Sequence, residues 1–193
     1  MEDNIKEWLF AIFIGCVLAW FIHLFLFELY TVEGDSMSPE LKNNDQIIVS
    51  KVSKILGTIN RGDVIVFHTK EKNDYIKRLI GKPGDKVSYK NDSLYINNQK
   101  IKEPYLSFNK KLNKYGSITE NFNISDIQGS NKKVIPKNKY LVLGDNRLIS
   151  NDSRGEIGLL DESKIVGKAK LRIFPLSNFK YDFYSKSFNK LNN

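Results

Sequence analysis

Ser36 lies in GDSMSPEL (34–41), a turn bounded by Gly34, Asp35 and Pro39. A hydroxyl in such a turn ordinarily bonds nearby backbone, and it becomes a nucleophile only when an adjacent base takes its proton. The chain offers few conventional bases. His23 and His68 are its two histidines, and its one cysteine, Cys16, sits inside an apolar run. A histidine triad, a thiolate site or a zinc centre therefore has almost no material. Ser-Lys pairs are a known alternative to Ser-His, and Lys77 in DYIKRLI (74–80) lies in an apolar-flanked, strand-like segment. Strand alternation puts Tyr75, Lys77 and Leu79 on one face and Ile76, Arg78 and Ile80 on the other, so Lys77 emerges among apolar groups. An ordinary lysine, with a pKa near 10.4, is well under about 1 % neutral at physiological pH. Burial disfavours the charged form and lowers that pKa, at about 1.4 kcal/mol per unit. From the strand alone, an ordinary lysine that reaches solvent is the favoured reading.

A third cluster changes the balance. LGDNRLISNDSRGEIG (143–158) follows a strand and gathers Asp145, Asn146, Arg147, Ser150, Asp152, Ser153 and Arg154 into one turn-rich stretch. A solvated loop does not need that many fixed polar groups, although a calcium-like or purely structural loop would also use them. Asp152 and Arg154 are spaced to form a salt bridge or brace the strands, and the Ser150 hydroxyl can donate to, or accept from, a neighbouring lysine amine.

The elements that must carry these residues follow from periodicity. Residues 8–27, WLFAIFIGCVLAWFIHLFLF, form a run of 20 without formal charge, about the length needed to cross a hydrocarbon core. Trp8 and Tyr30 flank it as interfacial aromatics. The run ends on bulky Phe25, Leu26, Phe27 and Leu29 rather than a small-x-small cleavage site, so it reads as a retained anchor. Beyond Tyr30 the pattern becomes period-two and β-branched. Strands are expected at 46–52, 63–68, 74–80, 86–90, 93–97, 139–145 and 164–174, each bounded by Gly, Pro, Asn or Asp. The Asn-, Lys- and Ser-rich stretch 98–137 differs in kind and reads as a small inserted cap. The fold class is thus mainly β: one transmembrane helix, then an antiparallel β catalytic core over 30–193 carrying that cap.

The net charge is +8, almost all of it from lysine, since the arginines are only Arg61, Arg78, Arg147, Arg154 and Arg172. Sequence-reading nucleic-acid binders lean on arginine and carry recognisable motifs. None is present, so nucleic acid is not expected as a partner. Solvating lysines with an attraction to anionic lipid head groups are the better reading.

The boxes GDSMSPEL, DQIIVSK (45–51), RGDVIVF (61–67), YIKRLIGKPGD (75–85) and GDNRLISNDSR (144–154), in this order behind an apolar anchor, resemble those of the bacterial type I signal peptidases. The resemblance implies a membrane-bound Ser-Lys endopeptidase that removes signal peptides from exported preproteins, working beside the export translocon without metal or cofactor. By it Ser36 is the nucleophile, Lys77 the general base, Ser150 the residue that orients the lysine amine, and Asp152 with Arg154 a supporting ion pair. Some members carry a second hydroxyl two residues before the nucleophile to bind the oxyanion, where this chain has Gly34. The 154–158 stretch is also a residue longer than in many relatives. A Ser-Lys self-cleaving repressor would have a DNA-binding module in place of the anchor. A non-catalytic accessory paralogue would have lost dyad residues that are present here. Because exported proteins present their cleavage sites outside, residues 1–7 are expected in the cytoplasm and the catalytic domain outside. Ser36 lies nine residues past Phe27, close to the bilayer at about 3.3 Å per residue, and Met37 and Leu41 are expected to dip into the lipid interface.

Overall fold

The alternating β-branched runs pair into two antiparallel sheets in the computed structural model, which describes residues 2–69, 73–114, 116–130 and 133–192. In chain order the strands are β1 (Phe27–Thr31), β2 (Gln46–Ser50), β3 (Val64–His68), β4 (Asp74–Gly81), β5 (Val87–Lys90), β6 (Ser93–Ile96), β7 (Gln99–Ile101), β8 (Phe122–Asn123), β9 (Lys139–Leu143), β10 (Leu160–Asp161), β11 (Ile165–Phe174) and β12 (Lys180–Tyr181). The larger sheet runs β1-β2-β11-β3-β4-β9-β10, with β12 on the free part of β11, and the smaller runs β7-β6-β5-β8.

β3 lies near the middle of the larger sheet, flanked by β11 and β4, and its first four residues are buried. That position explains its continuous apolar run, because both faces must be covered. Val64 and Val66 join a cluster with Ile47, Val49 and Ala169 on one face. Ile65 and Phe67 join Leu79, Val142 and Ile165 on the other. Ile80, Leu141 and Leu143 pack against Val87, Tyr89, Leu94 and Ile96, which seals the smaller sheet onto the larger one.

Three expectations need adjustment. The N-terminal apolar run is helical, α1 (Glu2–Leu26), but Phe27 is not part of it. Phe27 pairs with Ser50 as the first residue of β1, and the Lys51 N–H donates to the Leu26 carbonyl at 2.9 Å, so sheet pairing ends the helix. Among the described residues no helix is long and apolar enough to cross a membrane. Part of the expected span, the side chains of 21–25, lies outside what the structure describes. Finally, 86–90 and 93–97 were expected with the central strands, yet β5 and β6 form the middle of the smaller sheet, which β7 and β8 from the 98–137 stretch complete. Alternation marks a strand and its buried face; it does not say which sheet the strand joins.

Candidate active site

The turn bearing Ser36 is held at both ends. Val32 N–H donates to the Asp45 carbonyl and Asn44 N–H to the Val32 carbonyl, each at 2.8 Å, closing 32–45 into a loop on the end of β1. Within it Ser38 N–H reaches the Asp35 carbonyl at 3.0 Å and Leu41 N–H the Met37 carbonyl at 3.1 Å. Met37 and Leu41, 1 % and 0 % exposed, drive this turn into the core cluster around Val64 and Val66. Their expected place in the lipid interface is therefore corrected. Both are buried, and Met37 also lines the cleft beside Ser36.

Lys77 sits on β4 opposite Ile65, on the same face as Tyr75 and Leu79, as alternation requires. It is 3 % exposed. Its Nζ donates to Ser36 Oγ at 2.8 Å and to the Ile76 carbonyl at 3.0 Å, and lies 5.1 Å from the Tyr75 ring centre. Burial pushes the Lys77 amine down to about 8, against the opposing pull of the Asp152 and Asp145 carboxylates. A lysine in that range is partly neutral near pH 7, so its lone pair can accept a hydroxyl proton.

The 144–154 loop supports both groups. Asn146 N–H donates to the Ser36 carbonyl at 3.0 Å and Asn146 Nδ2 to the Asp35 carbonyl at 3.2 Å. Asp152 accepts from the Gly144 N–H at 3.0 Å and pairs with Arg154 at 2.9 and 2.8 Å, while Arg154 also reaches the Arg147 carbonyl. Burial alone raises the Asp152 carboxyl, but Arg154 and the backbone N–H groups outweigh it and hold it below the ordinary range. Asp145 is fully buried in a two-bond pair with Arg78, at 2.9 and 2.6 Å. Ser150 is brought to the site without bonding Lys77. Its Oγ is buried with no hydrogen-bond partner among the described residues. It packs so closely on Gly144 that an added Cβ would overlap it and stand 2.5 Å from the Ser36 carbonyl oxygen.

Gly34 adopts φ +76°, which favours glycine, and its N–H is committed to Asn43 Oδ1 at 2.8 Å. Neither a side chain nor a free N–H is therefore available there for an oxyanion. The Ser36 N–H has no acceptor among the described residues. Ser36 and Lys77 open into a cleft of about 660 Å³ whose walls include Val32, Gly34, Met37 and Ile76. The cleft separates residues 31–35 from 73–77. β4 gains its second neighbour, β9, only from Arg78 onward, so residues 74–77 keep one unpaired edge towards the cleft.

Several supporting contacts carry no local sequence signal. Arg147 is buried, donating to the Gly144 carbonyl, Tyr89 Oη, Thr119 Oγ1 and Glu103, which ties the 144–154 loop to the smaller sheet. Asn109, on the short helix α3 (Ser107–Leu112), donates to the Ser38 carbonyl at 2.8 Å and the Asp145 carbonyl at 2.9 Å. The two partners of Asn109 are 71 and 36 residues away in sequence, beyond the reach of any spacing rule.

A hydroxyl, a buried amine at hydrogen-bond distance, an uncommitted N–H at the same serine and an adjacent strand-lined cleft together suit acyl transfer. The comparisons agree with that chemistry. Residues 5–174 match the family described as signal peptidase, peptidase S26. Signal peptidase IB of Staphylococcus aureus (strain MRSA252) is 45 % identical over 185 residues, covering 95 % of this chain and 96 % of the relative. Signal peptidase I P of Bacillus subtilis subsp. natto is 44 % identical over 180 residues, covering 93 % and 94 %. The crystal structure of a signal peptidase I from Enterococcus faecalis V583 superposes with a TM-score of 0.53 at 35 % identity, covering 57 % of this chain and 95 % of that one.

Proposed function

We propose, from the premise that this chain belongs to the bacterial type I signal peptidases of peptidase family S26 and is a serine peptidase, that it cleaves signal peptides from exported preproteins with a Ser36–Lys77 dyad. The observation that carries this reading is the 2.8 Å Lys77 Nζ to Ser36 Oγ contact at an amine that burial pushes down to about 8.

Neutral Lys77 takes the Ser36 proton while Ser36 Oγ attacks the carbonyl of the signal peptide's last residue. The oxyanion is received by the Ser36 N–H; one such donor is worth about 10²- to 10³-fold in rate. Lys77, now protonated, delivers its proton to the leaving amine, and the new N-terminus departs. A water then gives a proton to Lys77 and attacks the ester, releasing the signal peptide and restoring Ser36. Ser150, whose hydroxyl is otherwise an unpaired buried group, turns towards the lysine amine when substrate closes the cleft. Leaving it unpaired costs about 1–3 kcal/mol. Asp152 and Arg154 keep the loop in place through Gly144, and Asn146 holds the carbonyls of Asp35 and Ser36.

The substrate lies in the cleft as an added strand between 31–35 and 73–77, using the unpaired edge of β4. Val32, Met37 and Ile76 form shallow apolar walls that admit small side chains before the cut. The 8–27 run, as read from the sequence, anchors the protein. Residues 1–7 are then cytoplasmic and the catalytic domain lies at the outer face, near membrane lipids and the translocon.

An acylating serine-directed probe applied to the purified full chain in detergent tests the dyad. Wild-type protein should be labelled at Ser36 and should process a preprotein. Ser36→Ala and Lys77→Ala should lose both while melting as folded proteins. Processing by either variant at more than a few per cent of the wild-type rate would sink the dyad. Absence of labelling in the wild type would instead favour an accessory binding protein.

A further inference from the structure

We infer that Asn109 of α3 is a positioning residue for the nucleophile, clamping the Ser36 turn against the 144–150 loop from the lobe of the smaller sheet. The inference rests on Ser36 being the nucleophile.

One nitrogen, Nδ2, donates both of its protons: one to the Ser38 carbonyl at 2.8 Å and one to the Asp145 carbonyl at 2.9 Å. Each acceptor neighbours a residue that fixes Ser36. Ser38 closes the 35–38 turn, and Asp145 precedes Asn146, whose N–H holds the Ser36 carbonyl. Without a donor between them, the two carbonyl oxygens would face each other with like partial charges in a half-buried place that water enters poorly. A single primary amide suits two acceptors that converge in this way.

The rest of α3 does not explain the contact as packing. None of its side chains is buried, Phe108 and Leu112 are exposed, and Lys110 turns away to pair with Asp92 at 2.9 Å. The helix meets the catalytic loops through the Asn109 amide, so removing that amide loosens the junction of the two loops and leaves the apolar clusters intact. The smaller sheet therefore helps to set where Ser36 Oγ stands relative to Lys77 Nζ.

The test uses the full chain in detergent with a peptide substrate, measuring kcat, KM, melting temperature and the rate of Ser36 labelling by the acylating probe. Asn109→Ala should lower kcat and the labelling rate about 10- to 100-fold, the cost of a misplacement of about 1 Å. KM should stay within about twofold and the acid limb of the pH profile should keep its midpoint, because the burial of Lys77 and its Asp152 and Asp145 carboxylate neighbours do not depend on the Asn109 amide. Asn109→Asp has the same shape but places acceptors against two carbonyls, and should lose at least as much. It decides the matter if the alanine variant fails to fold. Lys110→Ala and Lys111→Ala should stay near wild-type kcat. A folded Asn109→Ala or Asn109→Asp with kcat within twofold of wild type, or with the whole effect in KM, overturns the inference. If wild-type protein is not labelled at Ser36, the dyad reading fails. If it is labelled, and the Asn109 variants label equally fast, only this inference fails.

Discussion

Lys77 carries the sharpest consequences at the scale of single residues. Only its neutral form accepts a proton, so kcat/KM should rise about tenfold per pH unit below about 8 and level off above it. The same shift has a stability sign. The folded pKa lies below the ordinary lysine value, so charging Lys77 opposes folding. That cost is fully present below about pH 8 and disappears above about 10.5. It amounts to about 3 kcal/mol at about 1.4 kcal/mol per unit. Lys77→Met should therefore melt higher than wild type at pH 6–7, with the advantage shrinking as pH rises through 8 to 10; a constant offset would contradict a buried, titrating amine. Gly144 makes a second prediction, because a Cβ there would overlap Ser150 Oγ and crowd the Ser36 carbonyl. Gly144→Ala should cost 100-fold or more in kcat and about 1–3 kcal/mol of stability in denaturant titration. The resemblance carried by the ordered boxes supplied the pairing proposed for Ser36 and Lys77; the turn at the one and the strand face of the other were legible from local residues alone. Asn109 and the partners of Arg147 were not, since their roles exist only after distant segments meet.

Between elements, the Arg78–Asp145 pair pins β4 to the start of the 144–154 loop. Both side chains are buried, and the remaining Arg78 donors reach the Gly62 and Phe183 carbonyls at 2.8 and 2.7 Å, with the guanidinium over the Tyr105 ring. Asp145→Ala would strand a buried cation and should destabilise the protein by about 3–5 kcal/mol in equilibrium unfolding. A loss below about 1 kcal/mol would mean that water or another carboxylate replaces Asp145. Arg78 illustrates what alternation can and cannot convey. The pattern put it on the face opposite Lys77, where it is, but its carboxylate lies 67 residues away. The central strands were likewise readable from β-branched runs and turn residues. β5 and β6 were not assignable, because their alternation fits either sheet and only the packing of Val87, Leu94 and Ile96 against Leu141 and Leu143 decides.

For the whole molecule, the proposed anchoring predicts that activity divides by substrate. Removing residues 1–26 leaves β1 whole. The remaining domain should cleave a short peptide within several-fold of the full chain's rate and process a preprotein in lipid vesicles at least tenfold more slowly; equal processing of both substrates would exclude the helix from the mechanism. The junction itself is the feature with the widest consequence. Leu26 and Phe27 are consecutive in helix and strand, the Lys51 N–H bonds the Leu26 carbonyl at 2.9 Å, and Lys51 Nζ pairs with Glu28 at 2.9 Å. Helix and strand thus follow each other without an intervening loop. On the proposed anchoring, such a mount would act as a gauge: the distance of Ser36 from the bilayer would be set by the chain itself, and the bond to be cut would be selected by depth as well as by side chain. Bilayer thickness, by tilting the rod, would then move that mark along the substrate.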